Sequence, residues 1–206
     1  MIRDPKDLQR YTASQRTNHW VTGICFILLG LSGLAFFHPA FYPLTQLFGG
    51  GTWARILHPY IGVILGVSFV LMFIRFWSLN MLDESDRQWL SRTGEMIDGN
   101  DHNMPEQGKY NGGQKIVFWG SALFILILLI SGLILWRSMF DFPVGLVRLA
   151  AVVHAVAAVL MIITIIVHVY AAIWTRGTIR AMWYGTVTRA WAKQHHRAWY
   201  RQVTGK

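Results

Sequence analysis

Four long apolar runs, at residues 20–37, 56–77, 116–136 and 149–174, divide this chain, and polar segments separate them. Each run is close to the roughly 20 residues needed to cross the hydrocarbon core of a bilayer. Within lipid the backbone must satisfy its own hydrogen bonds, so the runs are expected to be helices rather than strands. Trp20, Trp77, Trp119, Trp136 and Trp174 stand near their ends, as an interfacial aromatic belt would. The pattern predicts an all-α, integral membrane four-helix bundle forming one domain over residues 1–206.

Lys and Arg set the expected direction. The N-terminal segment carries Arg3, Lys6, Arg10 and Arg16, and the 78–115 loop carries Arg87, Arg92, Lys109 and Lys115. The 175–206 tail adds Arg176, Arg180, Arg189, Lys193, Arg197, Arg201 and Lys206. The other two loops hold little beyond Arg55, Arg137 and Arg148, so both termini, the long loop and the tail are expected on the cytoplasmic side. Pro59 is expected in the first turn of the second helix, where its missing N–H would cost nothing. Residues 38–52, with two prolines and three consecutive glycines, read as an outer loop with an interfacial turn. The long loop is polar without low complexity, which fits an ordered docking surface better than a linker.

Composition narrows the class. The chain is 53% hydrophobic with a net charge of +9, but its basic residues cluster at span ends, so membrane orientation explains them and nucleic acid is not an expected partner. Cys25 is the single cysteine. One thiol excludes an internal disulfide, a Cys-x-x-Cys-His haem attachment and a cysteine-held iron–sulfur cluster made by this chain alone. Cys25 reads as a small buried hydrophobe. The first nineteen residues mix charges of both signs and lack a cleavable-signal pattern, so the N-terminus is expected to be retained.

Against that apolar background stand His19, His58, His154 and His168. An ionisable side chain inside a span is expensive and marks a functional site by default. His154 and His168 are fourteen residues apart, which at about 1.5 Å and about 100° per residue places them about 21 Å apart on nearly one helix face. With the directions above, His58 and His154 share the outer level, and His19 and His168 share the cytoplasmic level. Two level pairs point to two b-type haems with histidine on both axial sides. Such sites have no open position and carry electrons. Gly23, Gly62, Gly66 and Ala158, four or eight residues after a histidine, leave room on the same faces. Taken singly, each histidine reads about as readily as a hydrogen bond between helices, and each small residue as a packing device.

The sequence resembles the gamma (cytochrome b) subunit of respiratory formate dehydrogenases. The resemblance rests on Arg-Tyr-Thr-Ala at 10–13, Asn-His-Trp at 18–20, Arg-Ile-Leu-His-Pro at 55–59 and Lys-Tyr-Asn-Gly-Gly-Gln-Lys at 109–115. It continues with His-Val-Tyr-Ala-Ala-Ile-Trp at 168–174, Trp-Ala-Lys-Gln-His-His at 191–196 and Trp-Tyr-Arg at 199–201. Arg197, where the family often has proline, is a departure confined to the tail. The resemblance implies haem ligation by the same four histidines in the same pairs. It also implies a quinone site at the cytoplasmic end that involves Asn111, Gly113 and Gln114 with His168. The implied partners are an iron–sulfur beta subunit and a periplasmic alpha subunit, with molybdenum or tungsten, that oxidises formate. The heterotrimer is expected to form a higher oligomer in the bacterial inner membrane, and menaquinone or ubiquinone is the acceptor.

The residues bear on the quinone site independently. Asn111 and Gln114 are amides that can hydrogen-bond quinone oxygens in either redox state, and Gly112 and Gly113 permit close backbone approach. The competing reading is an ordinary helix N-terminus with Asn as its cap. The spans hold no Asp or Glu relay, so the two protons of quinone reduction are expected from the cytoplasm, beside the acidic 83–106 segment.

Other readings keep the haems and change the partner to a nickel–iron hydrogenase or a thiosulfate-type reductase. A different class of reading is a haem-free anchor or channel. A transporter would need discontinuous spans or inverted repeats, which the sequence lacks. His38 reads as solvent-facing, His102 as part of the polar loop, and His195 and His196 as part of a basic tail on the anionic inner leaflet.

Overall fold

In a computed structural model of the chain, the structure describes residues 4, 6–98 and 104–205, without the side chains of Met96 and Ile97. Arg3, His102 and Lys206 lie outside the described residues. Nine helices are described: α1 (Ala13–Phe37), α2 (Gly51–Phe76), α3 (Glu84–Ser91), α4 (Thr93–Ile97), α5 (Gly112–Leu135), α6 (Val144–Trp174), α7 (Thr178–Tyr184), α8 (Arg189–His195) and α9 (Arg197–Thr204). Four of them, α1, α2, α5 and α6, are long and apolar enough to cross a membrane, and they coincide with the four apolar runs. The 38–52 connection contains a 3₁₀ segment, Pro39–Phe48.

The long helices begin several residues before their apolar runs, so Pro59 lies inside α2 and not in its first turn; polar side chains cap the starts of α1 and α5. Thr12 Oγ1 accepts from Gln15 N while Gln15 Oε1 accepts from Thr12 N, at 3.3 and 3.0 Å. Asn111 and Gln114 form the same reciprocal pair at the start of α5, at 2.9 and 3.1 Å. Asp83 and Asp86 do so for α3. Each pair satisfies two backbone N–H groups that a helix start leaves unbonded.

The chain divides into two compact units. The apolar unit comprises Thr17–Ile74 and Gly120–Ile166. Its core gathers Cys25, Leu65, Phe69, Ile125 and Met161, with Leu29, Ile61 and Leu129 packed around them. Outside that core, Val63, Val67, Val70 and Ile74 of α2, and Val152, Val156, Ile163 and Ile166 of α6, expose apolar side chains. A surface of that kind is expected to face lipid tails. A polar contact joins α1 to α2: Asn18 Nδ2 donates to Ser68 O and Oγ, both at 2.8 Å, and Thr22 Oγ1 lies 2.8 Å from Ser68 Oγ.

The polar unit comprises Met1–Arg16, Arg75–Trp119 and Val167–Lys206. Here β1 (Leu8–Gln9) pairs antiparallel with β2 (Thr186–Val187), Leu8 opposite Val187. Gly185 precedes β2 with φ 79°, and its carbonyl accepts from the N–H groups of Arg10 and Tyr11 at 2.8 and 3.1 Å. A Cβ at Gly185 would fall 2.5 Å from Tyr11 O, so both the positive φ and the close approach require glycine.

Arg10 anchors this unit. It is buried, and its guanidinium carbon lies 5.0 Å from the ring centroids of both Trp191 and Trp199. Its Nη2 donates to Lys109 O and lies 3.3 Å from His196 Nε2. His196 Nδ1 is 2.7 Å from Gly108 O. A carbonyl only accepts, so Nδ1 carries the proton and Nε2 is left to accept from Arg10. His196 is therefore a buried, neutral tie between the tail and the 104–110 segment, not a solvated tail residue. Burial first, and then the Arg10 charge, push its pKa down to about 3.

The pH dependence follows from that depression. Below the ordinary imidazole pKa of about 6.5 the unfolded state binds a proton that the folded state refuses. Stability contributed by neutral His196 is therefore complete above about pH 6.5 and declines as pH falls toward about 3. Amide-exchange protection of α8 and α9 should weaken across that window, and His196→Gln, which can still donate to Gly108 O, should flatten the loss.

Candidate functional site

His58 lies in the second turn of α2 and His154 in the third turn of α6, both within the apolar unit. The structure brings them together: their ring centroids are 6.3 Å apart and their planes are inclined by 61°. Neither ring hydrogen-bonds the other among the described residues. Each instead meets a serine from a third or fourth helix. His58 Nδ1 is 2.7 Å from Ser32 Oγ of α1, and His154 Nδ1 is 2.9 Å from Ser131 Oγ of α5. All four long helices thus contribute one polar residue to this level of the bundle.

The donor set fits a haem iron. A metal–imidazole bond is about 2 Å long, and the bonded nitrogen is roughly 1 Å from its ring centre, so two rings facing across one metal have centroids about 6 Å apart. The observed 6.3 Å matches that spacing, whereas direct imidazole–imidazole hydrogen bonding would draw the rings closer. With Nδ1 engaged by serine, each Nε2 is the nitrogen left for the metal. Phe36 packs edge-on against His58 at 5.7 Å and keeps that ring in an apolar setting.

The small residues divide. No atom lies within 4 Å of where a Cβ would sit on Gly23 or Gly62, so the backbone is open there. A Cβ on Gly66 would meet Leu129 at 3.0 Å, which makes that glycine a helix-packing contact. Gly33 and Gly132 are the small residues that face the rings: His58 Cε1 and His154 Cε1 lie 3.7 and 3.4 Å from their Cβ positions. Sequence reading overlooked Ser32, Gly33, Ser131 and Gly132, although the matching segments Leu31-Ser32-Gly33-Leu34 and Ile130-Ser131-Gly132-Leu133 were visible signals.

His19, seven residues into α1, belongs to the apolar unit, and His168, near the end of α6, belongs to the polar unit. Both are partly buried.

The polar unit also holds Asn111, Gly113 and Gln114. The capping pair uses the amide oxygens of Asn111 and Gln114 and leaves their NH₂ groups to donate elsewhere. Gly112 and Gly113 pack on α3: Cβ atoms there would fall 3.0 Å from Asp86 O and from the Trp89 ring, respectively. One turn on, Lys115 is buried, its Nζ 2.5 Å from Asp86 Oδ2, 3.4 Å from Asp83 Oδ2 and 3.0 Å from Met81 O. This ion pair and the glycine contacts fix the start of α5 against α3.

Residues 10–185 match the family described as prokaryotic cytochrome b561. The chain is 46% identical over 196 residues to the cytochrome b556(fdo) subunit of formate dehydrogenase from Escherichia coli K12, covering 94% of this chain and 92% of that one. It is 43% identical over 190 residues to the nitrate-inducible cytochrome b556(Fdn) subunit from the same organism, covering 91% and 88%. It is also 37% identical over 195 residues to the formate dehydrogenase cytochrome b556 subunit of Haemophilus influenzae, covering 94% and 82%. The four membrane-length helices and these matches define a multi-pass membrane cytochrome b. The chain belongs to the prokaryotic cytochrome b561 family, whose members bind haem b and carry electrons.

Removing the carboxylate of Asp86 strands the buried Lys115 cation. Asp86→Ala should destabilise the α3–α5 contact by about 3 kcal/mol, Asp83 retaining part of the pairing. Faster amide exchange at residues 84–91 and 112–116 would register it.

Proposed function

We propose that this chain is the di-haem cytochrome b subunit of a respiratory formate dehydrogenase in a bacterial cytoplasmic membrane. It takes electrons from an iron–sulfur beta subunit, itself supplied by a molybdenum- or tungsten-containing alpha subunit. It delivers them to menaquinone or ubiquinone on the cytoplasmic side. The observation that carries the reading is the His58–His154 pair: two imidazoles from different helices, 6.3 Å apart in an apolar bundle, each with Nδ1 already engaged. The names of the relatives, which share up to 46% identity over nearly their full length, supply the choice of formate dehydrogenase over other oxidoreductases.

In this reading His58 and His154 hold the outer haem, and His19 and His168 hold the inner one. The second pairing rests on helix direction and on the positions of these residues along α1 and α6. Haem b held by two imidazoles would supply one-electron transfer, with no position on the iron left for oxygen or substrate. The protein's part is to fix the imidazoles, keep water out of the bundle and set the electrostatic surroundings of each iron. Asn111 and Gln114 offer amide donors to quinone oxygens, and Gly113 and His168 complete that site. The cytoplasmic placement of both termini follows from the Lys and Arg asymmetry between loops.

The test uses the detergent-extracted complex. Pyridine haemochrome analysis should give about two haems b per chain, and mass spectrometry should find a formate-oxidising subunit alongside it. A hydrogenase or thiosulfate reductase subunit in its place would reassign the partner, and a haem-free complex would overturn the cytochrome reading. His154→Ala should lower the content from about two haems to about one, the retained haem showing that the bundle still forms. Full retention of both would remove His154 from the ligand set.

A further inference from the structure

The geometry points to Ser32 and Ser131 as positioning residues that fix the proton on the outer pair of imidazoles and thereby hold down the potential of the haem between them. This rests on the haem reading above and extends it to residues that no motif singled out.

A serine hydroxyl has one proton to place. Ser32 Oγ donates to Leu28 O, one turn back on its own helix, at 2.9 Å. Ser131 Oγ does the same to Ile127 O at 2.6 Å. Each hydroxyl has a single proton, and the helix carbonyl can only accept it. What Ser32 then presents to His58 Nδ1, 2.7 Å away, and Ser131 to His154 Nδ1, 2.9 Å away, is a lone pair. With the hydroxyl proton on the helix carbonyl, Nδ1 of each ring carries the hydrogen and donates it to the serine. The tautomer follows: Nε2 has the free lone pair on both rings.

Both serines are buried, Ser32 at 0% and Ser131 at 4% exposure, so no water competes for these bonds. In each case the next residue is glycine, so the Cε1 edge of the ring faces bare backbone. The arrangement is built twice, once on α1 against α2 and once on α5 against α6. A duplicated contact of this kind is hard to attribute to helix packing alone.

A metal-bound imidazole that donates its other N–H to an acceptor becomes a more basic ligand. A more basic ligand favours the ferric state, so the two serines lower the reduction potential. Loss of one of these bonds should raise it.

The experiment measures midpoint potentials and visible and EPR spectra of the intact complex carrying Ser32→Ala, Ser32→Cys, Ser131→Ala or Ser131→Cys. Alanine removes the acceptor and its volume, whereas cysteine restores the volume with only a weak acceptor. Each variant should shift the reduction equilibrium of one haem by roughly threefold toward the ferrous state, or about 30 mV upward at 59 mV per tenfold for one electron. The other haem should keep its potential and serve as an internal control. Loss of the one haem in both the alanine and cysteine variants, with the other retained, would also support the role. Wild-type behaviour of the cysteine variants beside altered alanine variants would mean that the serines only fill space, and would overturn it. Unchanged potentials and spectra in all four haem-loaded variants would overturn it as well. A wild-type complex without haem would fail differently, sinking the cytochrome reading itself.

Discussion

Two imidazoles brought together inside an apolar bundle are the constraint from which the rest follows. An unpaired polar ring in such surroundings is costly, and a pair held 6.3 Å apart without bonding each other needs something to justify the gap. In the proposed reading a shared haem iron does so, and it also accounts for each Nδ1 being tied to a serine. With each Nδ1 tied to a serine, Nε2 of each ring is the nitrogen left to bind.

The same economy governs the other polar groups in the apolar unit. Asn18, Thr22 and Ser68 bond one another across α1 and α2, and Ser32 and Ser131 bond their own helices as well as a histidine. Elsewhere the helices pack through Leu, Phe, Met and Ile and present valine and isoleucine outward. The polar unit works by different physics. Arg10 is held by aromatic faces and by His196 rather than by a carboxylate, and Lys115 is held by Asp83 and Asp86. Charge is concentrated where helix starts and the tail must be fixed.

Much of this was legible in the residues. The four spans follow from hydropathy and length, and His58 and His154 from their rarity in such surroundings and from helix direction. Less visible were the helix starts, because Thr12, Asp83 and Asn111 act through short-range capping that apolar runs do not report. The tail was harder still. His196 reads as one more polar residue in a basic segment, and only the fold reveals Arg10, from the other end of the chain, donating to its ring. The serines were missed for a related reason: small-residue reading looked four and eight positions along the histidine's own helix, whereas the contacts come from neighbouring helices. The glycines show the same limit, since Gly66 proved to pack on Leu129 while Gly33 and Gly132 face the rings.

The central claim is that His58 and His154 are the two axial ligands of one haem iron. Near-infrared magnetic circular dichroism of the oxidised complex, read together with its EPR spectrum, reports axial ligands directly. The account predicts low-spin signatures of bis-imidazole ligation from every haem, with no high-spin fraction. A high-spin signal, or a ligand pair other than two imidazoles at the outer haem, would contradict it.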